Sequence, residues 1–146
     1  MATFGTFVSG QVLTAAELNT AGEFQTYTPT WTQSATITKT VNWARYTQLN
    51  KFVYVSMKMT ASSAGTASNN ILVGLPVTAS ANNWSLGTAQ IVDESATPDL
   101  LTPLLVVYNS STTATFYQTQ VAQAIPFRET IASGDILYAQ FVYEAD

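Results

Sequence analysis

Between Phe52 and Met59 the chain alternates strictly: Val53, Val55, Met57 and Met59 fall on one face, and Tyr54, Ser56 and Lys58 on the other. Successive side chains of a strand point to opposite faces, so an extended segment with one buried side is what keeps all four apolar groups together. Such a segment requires a sheet with a second apolar layer laid over it. The same period of two recurs along most of the chain. Tyr27-Thr28-Pro29-Thr30-Trp31 sets ring, proline and ring against Thr, and Pro29 makes it an edge strand or the start of one. Ile37, Lys39, Val41 and Trp43 continue one face of a second run, which passes through Arg45-Tyr46-Thr47 to a turn at Leu49-Asn50-Lys51. With the Phe52–Met59 strand it makes a hairpin.

Residues 61–70, polar and small around Gly65, read as an exposed loop. Ile71-Leu72-Val73-Gly74-Leu75 is a short strand closed by Pro76, Trp84 to Val92 supplies another, and 93–103, with two prolines, is a loop. Leu104–Tyr108 and Thr113–Tyr117 flank a four-residue turn, Asn109-Ser110-Ser111-Thr112, as a second hairpin. After Gly134-Asp135 comes a long final strand with apolar groups on both faces, Ile136, Tyr138 and Val142 against Leu137, Ala139, Phe141 and Tyr143. Short strands separated by loops every 8–12 residues or so define an all-β chain, an antiparallel β-sandwich or jelly roll.

Only 10% of residues are charged, against about 25% in an average soluble domain. Thr is the commonest residue, and with Ser, Asn and Gln it fills the outward positions that Lys and Glu usually take. Five basic residues, Lys39, Arg45, Lys51, Lys58 and Arg128, in a chain of net charge -4 do not make a phosphate-binding surface, so nucleic acid is not an expected partner. No stretch approaches the roughly 20 apolar residues of a membrane span, and the start lacks the basic and apolar regions of an export signal. Without cysteine there is neither a disulfide framework nor a thiolate metal site.

The first 25 residues have a different character. Phe4, Phe7 and Val8 sit in a glycine-punctuated segment, and Val12-Leu13-Thr14-Ala15-Ala16-Glu17-Leu18-Asn19 reads as one short helix. Thr14 and Glu17 form a capping box, Leu13 and Leu18 a hydrophobic staple, and Gly22 a left-handed stop. A two-turn helix is unstable alone, so Phe4, Phe7, Val8, Val12, Leu13 and Leu18 must dock on something: a partner chain is the expected surface, and the chain's own body the alternative. The chain therefore divides into an anchoring arm, 1–25, and a β-sandwich, 26–146. Tyr54, Tyr117 and Tyr143, read as outward, exceed what one core can bury, which points to an oligomer. Trp84, Tyr108, Tyr117 and Tyr143 are the expected oligomer or receptor contacts; flat rings near loops suit sugar rings.

No enzyme activity and no cofactor is expected. With neither His nor Cys, the usual general base and the commonest nucleophile systems are missing. Asp93, Glu94 and Asp99 form the one acidic cluster, a solvated loop for which calcium binding through oxygen ligands is the alternative; the Asp93-Glu94 pair would point to opposite faces of a strand. Ser56 and Lys58 share a face without further catalytic support.

The opening Phe7-Val8-Ser9-Gly10-Gln11-Val12-Leu13-Thr14-Ala15-Ala16-Glu17-Leu18-Asn19, followed by Tyr27-Thr28-Pro29-Thr30-Trp31, resembles the start of many tailed-bacteriophage virion proteins, tail fibres and minor tail proteins among them. Arg45-Tyr46-Thr47-Gln48-Leu49-Asn50-Lys51-Phe52-Val53-Tyr54-Val55 and Leu75-Pro76-Val77 are similar to their β domain. That family usually has Gly before Arg-Tyr and in the next turn, where this chain has Ala44 and Asn50. The resemblance implies a homotrimeric, surface-exposed virion protein assembled in the host cytoplasm and held to other virion proteins by its arm. It would serve as a small tail fibre or tail-tip adhesion protein meeting a host-surface saccharide, or as a capsid decoration (cement) protein on the head lattice.

Overall fold

The alternation that opens the sequence becomes the centre of an antiparallel sheet. The computed structural model describes residues 10, 12, 14, 15, 22–81, 86–94, 100–120, 123–125 and 129–146. Among them are eleven strands: β1 (Gln25–Thr26), β2 (Trp31–Gln33), β3 (Ala35–Thr36), β4 (Lys39–Leu49), β5 (Phe52–Ala61), β6 (Ile71–Gly74), β7 (Leu86–Asp93), β8 (Leu100–Ser110), β9 (Thr113–Gln120), β10 (Gln123–Ile125) and β11 (Ile136–Glu144). They are hydrogen-bonded in the order β1-β4-β5-β11-β7-β8-β9-β6-β2-β3, with β10 on β9.

This single hydrogen-bonded path curls into two layers, and β8 makes the corner. Its first half, Leu100 to Leu105, pairs with β7, while Leu104 to Ser110 pairs with β9. One long strand can thus belong to both layers. At the opposite side the chain itself crosses: β1 pairs with β4 in the front layer, and five residues later β2 pairs with β6 in the back layer. The layers meet where Phe116 of β9 and Phe141 of β11 pack edge to face, ring centroids 6.2 Å apart. Both lie in a core that also takes in Trp31, Ile37, Val53, Val55, Met57, Met59, Ile71 and Leu137, all fully buried. The expected inward face of β5 is the observed one.

Loops close the two ends of the sandwich. At one end Ala79 bridges Ala145 and donates its N–H to Ser111 O, so one short segment ties β11 to the β8–β9 turn. At the other end the fully buried amide of Gln33 spans the layers' loops: Nε2 donates to Glu129 O at 2.8 Å and Oε1 accepts from Ile131 N at 3.0 Å. Gly65 lies against it so closely that a Cβ there would strike Gln33.

Several local expectations shift. The β4–β5 hairpin turns through Asn50 and Lys51, with Asn50 at a φ of 53°; its short polar side chain tolerates this left-handed conformation. The second hairpin is tighter than four residues, since Ser110 pairs with Thr113, and the ladder is irregular between Tyr108 and Ser110. The loop expected over 93–103 is shorter, because β8 begins at Leu100 and contains Pro103. Proline fits there because the ladder to β9 starts only at Leu104, leaving Pro103 without a strand on that side. Most of the expected arm and helix lies outside the described residues, of which Ala15 has helical conformation and Val12 is 83% exposed. At the expected 25/26 boundary, Gln25 and Thr26 pair with Tyr46 and Arg45.

Candidate functional site

The alternation places half of every front-layer strand outside, and cross-strand register decides which of these side chains meet. Residues directly opposite in an antiparallel pair share a face. One row across the sheet therefore runs Trp43, Lys58, Tyr138, Gln90, Pro103, and the next runs Arg45, Ser56, Gln140, Thr88, Leu105. A third holds Thr47, Tyr54 and Val142.

Trp43 reaches this outer face because of a bulge. Straight alternation from Ile37 through Val41 would place Trp43 inside, yet the β4–β5 register shifts between Val41 and Trp43. One extra residue reverses the phase, so Val41 lies opposite Met59 while Ala44 and Tyr46 replace Trp43 on the core side. Asn42, at the shift, accepts a hydrogen bond from the Thr60 hydroxyl at 2.9 Å. Trp43 is left 37% exposed and Phe24 49% exposed.

The outward aromatics are organised by the few cations. The Arg45 guanidinium lies 4.8 Å from the Phe24 ring centroid and 5.5 Å from that of Trp43, and Phe24 meets Tyr54 edge to face at 6.1 Å. Lys58 Nζ stands 5.1 Å from the Tyr138 ring centroid. Each such contact contributes about 0.5–1 kcal/mol at an exposed site. Ser56, 3% exposed, is enclosed between Arg45 and Gln140, and Lys58 is turned to Tyr138, so the two do not form a nucleophile and its base.

Beside Tyr138, toward the corner strand, the face dips into an open groove of about 310 Å³ lined by Thr88, Gln90, Pro103, Tyr138 and Gln140 over the Ala89–Ala139 pair. Among the described residues its walls carry amides, a hydroxyl, a ring and a proline, and no charge. Such a surface can hold a partner through ring contact and hydrogen bonds, and offers no group to transfer a proton at neutral pH.

Of the residues singled out by sequence, those that are described do not line the groove. Phe4, Phe7, Val8, Leu13, Leu18 and Trp84 lie outside the described residues. Tyr108 sits in β8 opposite Ala114, and Tyr117 is half-buried in β9 opposite Leu105, in the back layer's outer row. Tyr143 is corrected: its ring is 4% exposed, and its hydroxyl donates to Val77 O at 2.8 Å and accepts from Val77 N at 3.2 Å. It faces inward with Phe141, two residues along the same strand, and burial raises its phenol pKa further above the usual range. It is not an outer contact of this chain.

In the acidic loop, Asp93 ends β7, Glu94 is exposed, and Asp99 lies outside the described residues. The group that meets Asp93 is Asp135, just before β11. Burial pushes the Asp135 carboxyl up, the Ala132 N–H, donating to Oδ2 at 2.8 Å, holds it back, and the Asp93 charge pushes it up again. Among the described residues no group of three or more His, Asp or Glu assembles around a metal position.

Among known proteins, no family model matches this chain, and neither a curated protein nor a solved structure gives a significant match.

Proposed function

We propose that this chain is a non-enzymatic bacteriophage virion protein, a homotrimeric, surface-exposed β-sandwich attached to the particle by its N-terminal segment and acting as a small tail fibre or tail-tip adhesion protein. The observation that carries the reading is the outer face of the front layer. There Phe24, Trp43, Arg45 and Tyr54 form a cation-braced aromatic band left open on a single chain, next to the exposed Leu49 and Phe52 at the β4–β5 turn. Exposed clusters of large apolar groups mark contact surfaces, and rings with an interleaved Arg are what interface centres are made of. The absence of His and Cys from the whole chain supports a binding role over a catalytic one. The likeness of the opening residues and of Arg45 to Val55 to phage virion proteins supplies the particle.

Two measurements test it. Sedimentation of the purified chain is expected to report a trimer, and a stable monomer at micromolar concentration refutes self-assembly. Imaging of whole particles with a label on this chain is expected to place it at the tail. Label on the head lattice selects the decoration protein instead, and no label on any particle refutes both.

A further inference from the structure

We infer that the groove beside Tyr138 is a binding site for a neutral saccharide residue. The inference deepens the adhesion reading and rests on it for biological meaning, while its geometry stands by itself. Register builds the site from two neighbouring rows: Tyr138, Gln90 and Pro103 form one wall, and Gln140 with Thr88 the other. Residues two apart along a strand stand about 6.8 Å from each other, so the slot between the rows is about one sugar ring wide. Its volume of about 310 Å³ is that of a small ligand site.

The lining excludes other occupants. Among the described residues no charged side chain lines the groove, so none of them offers an anion or a cation a counter-charge there. Lys58 approaches Tyr138 from β5, on the far side of β11 from the groove. A peptide adding as a strand needs a free sheet edge, and here β7 is paired on both sides, with β11 and β8. An apolar segment would bury Gln90, Gln140 and Thr88 without partners, at a cost for each. A pyranose meets all of these features together. Its C–H face packs on the Tyr138 ring and Pro103, and its adjacent hydroxyls both donate to and accept from amides that have both capacities. Thr88 and Gln140 are exposed and Gln90 half-exposed, so their polar groups are open to a ligand.

The test is saturation-transfer NMR and calorimetry on the full chain with glucose, galactose, mannose, N-acetylglucosamine and, as a charged control, glucuronate. At least one neutral sugar is expected to bind at millimolar concentration. Tyr138→Ala should weaken it by about tenfold or more, which corresponds to about 1.4 kcal/mol. Tyr138→Phe should retain most of the binding, because the ring face makes the contact. Gln90→Ala and Gln140→Ala, changes at surface positions, should each weaken binding with melting temperature unchanged, keeping the test valid if Tyr138→Ala unfolds. No binding by any neutral sugar, binding indifferent to Tyr138→Ala and to both Gln variants, or tighter binding of glucuronate overturns the site. The virion reading fails separately: sugar binding by a chain absent from particles sinks that reading and leaves the groove standing.

Discussion

Gln33 is the side chain on which one end of the sandwich depends, and its removal has a calculable cost. Replacing it by Ala leaves the Ile131 N–H without its acceptor at a residue with 0% exposure. A buried donor left unpaired costs about 1–3 kcal/mol. The Glu129 carbonyl belongs to an exposed residue and regains water, so that bond contributes only about 1 kcal/mol net. The lost buried methylene adds about 0.8 kcal/mol. The total is about 3–5 kcal/mol, a large fraction of the roughly 5–15 kcal/mol by which a domain is stable. Urea unfolding followed by circular dichroism should show a lower midpoint at unchanged slope, and the melting temperature should fall by about 10 °C. A loss under about 1 kcal/mol refutes the reasoning. A double-mutant cycle sharpens it. The methyl of Gly65→Ala would strike Gln33 Oε1 and lie 3.2 Å from its Cδ and 2.8 Å from its Cβ. In the Gln33→Ala background the first two contacts are gone, so Gly65→Ala should cost markedly less there. Additivity within about 0.5 kcal/mol would mean that the two residues do not act on each other.

Other outcomes follow from the same geometry. Trp43→Ser combined with Phe24→Ser should abolish the proposed self-association in sedimentation while lowering the melting temperature by only a few degrees, since neither ring belongs to the core and the chain itself loses only the two Arg45 contacts and the Phe24–Tyr54 edge. Gly87→Ala should destabilise by about 1–3 kcal/mol in thermal melts, because its methyl would strike Phe141 and the Gln140 carbonyl across the β7–β11 ladder. Asp135 holds its proton more tightly folded than unfolded, so its contribution is fully present below the unfolded pKa, about 3.9, and is lost as pH rises through the higher folded value. The melting-temperature difference between Asp135→Asn and the parent chain should therefore move in the variant's favour from about pH 4 to pH 7; a pH-independent difference refutes it.

How far the fold was legible depends on how local its signals were. The inward face of β5, the β4–β5 turn at Asn50, the short β6 and the final strand were readable, because each is set by alternation and turn chemistry within a few residues. Trp43 was misplaced because a bulge adds one residue without any composition mark. The register was nevertheless recoverable, as counting back from the turn pairs Ala44 with Met57 and turns Trp43 outward. The sequence does not assign Tyr143 to the core, because the last strand is apolar on both faces and gives period two nothing to distinguish. Pro103 reads as a loop residue because a strand proline is acceptable only where one side is unpaired, a fact of the neighbouring strand. The groove was not legible at all. Gln90, Tyr138 and Gln140 come from strands far apart in sequence, and only the β11–β7–β8 register brings them into neighbouring rows.

The division of labour between the two faces follows from that register. A sandwich with so few charges cannot use Lys and Glu to keep its outer face apart from other surfaces, so hydroxyls and amides take that role over most of it. Where rings replace them, two of the five cations of the chain do not spread through solvent: Arg45 is held on Phe24 and Trp43, and Lys58 on Tyr138, while Lys51 stays exposed at the hairpin turn. The stacked cation blocks free collapse of the rings onto other apolar surfaces, because any partner must either keep the contact or desolvate the charge. Such a face selects partners that bring their own hydrogen bonds and an apolar side together. A second copy of the chain can do so at the Phe24–Trp43 band, and a sugar ring can do so at the uncharged groove beyond Tyr138. The band and the groove lie along the same cross-strand row, about 14 Å apart at 4.8 Å per strand, so the register separates the charge-braced rings from the uncharged slot on one face.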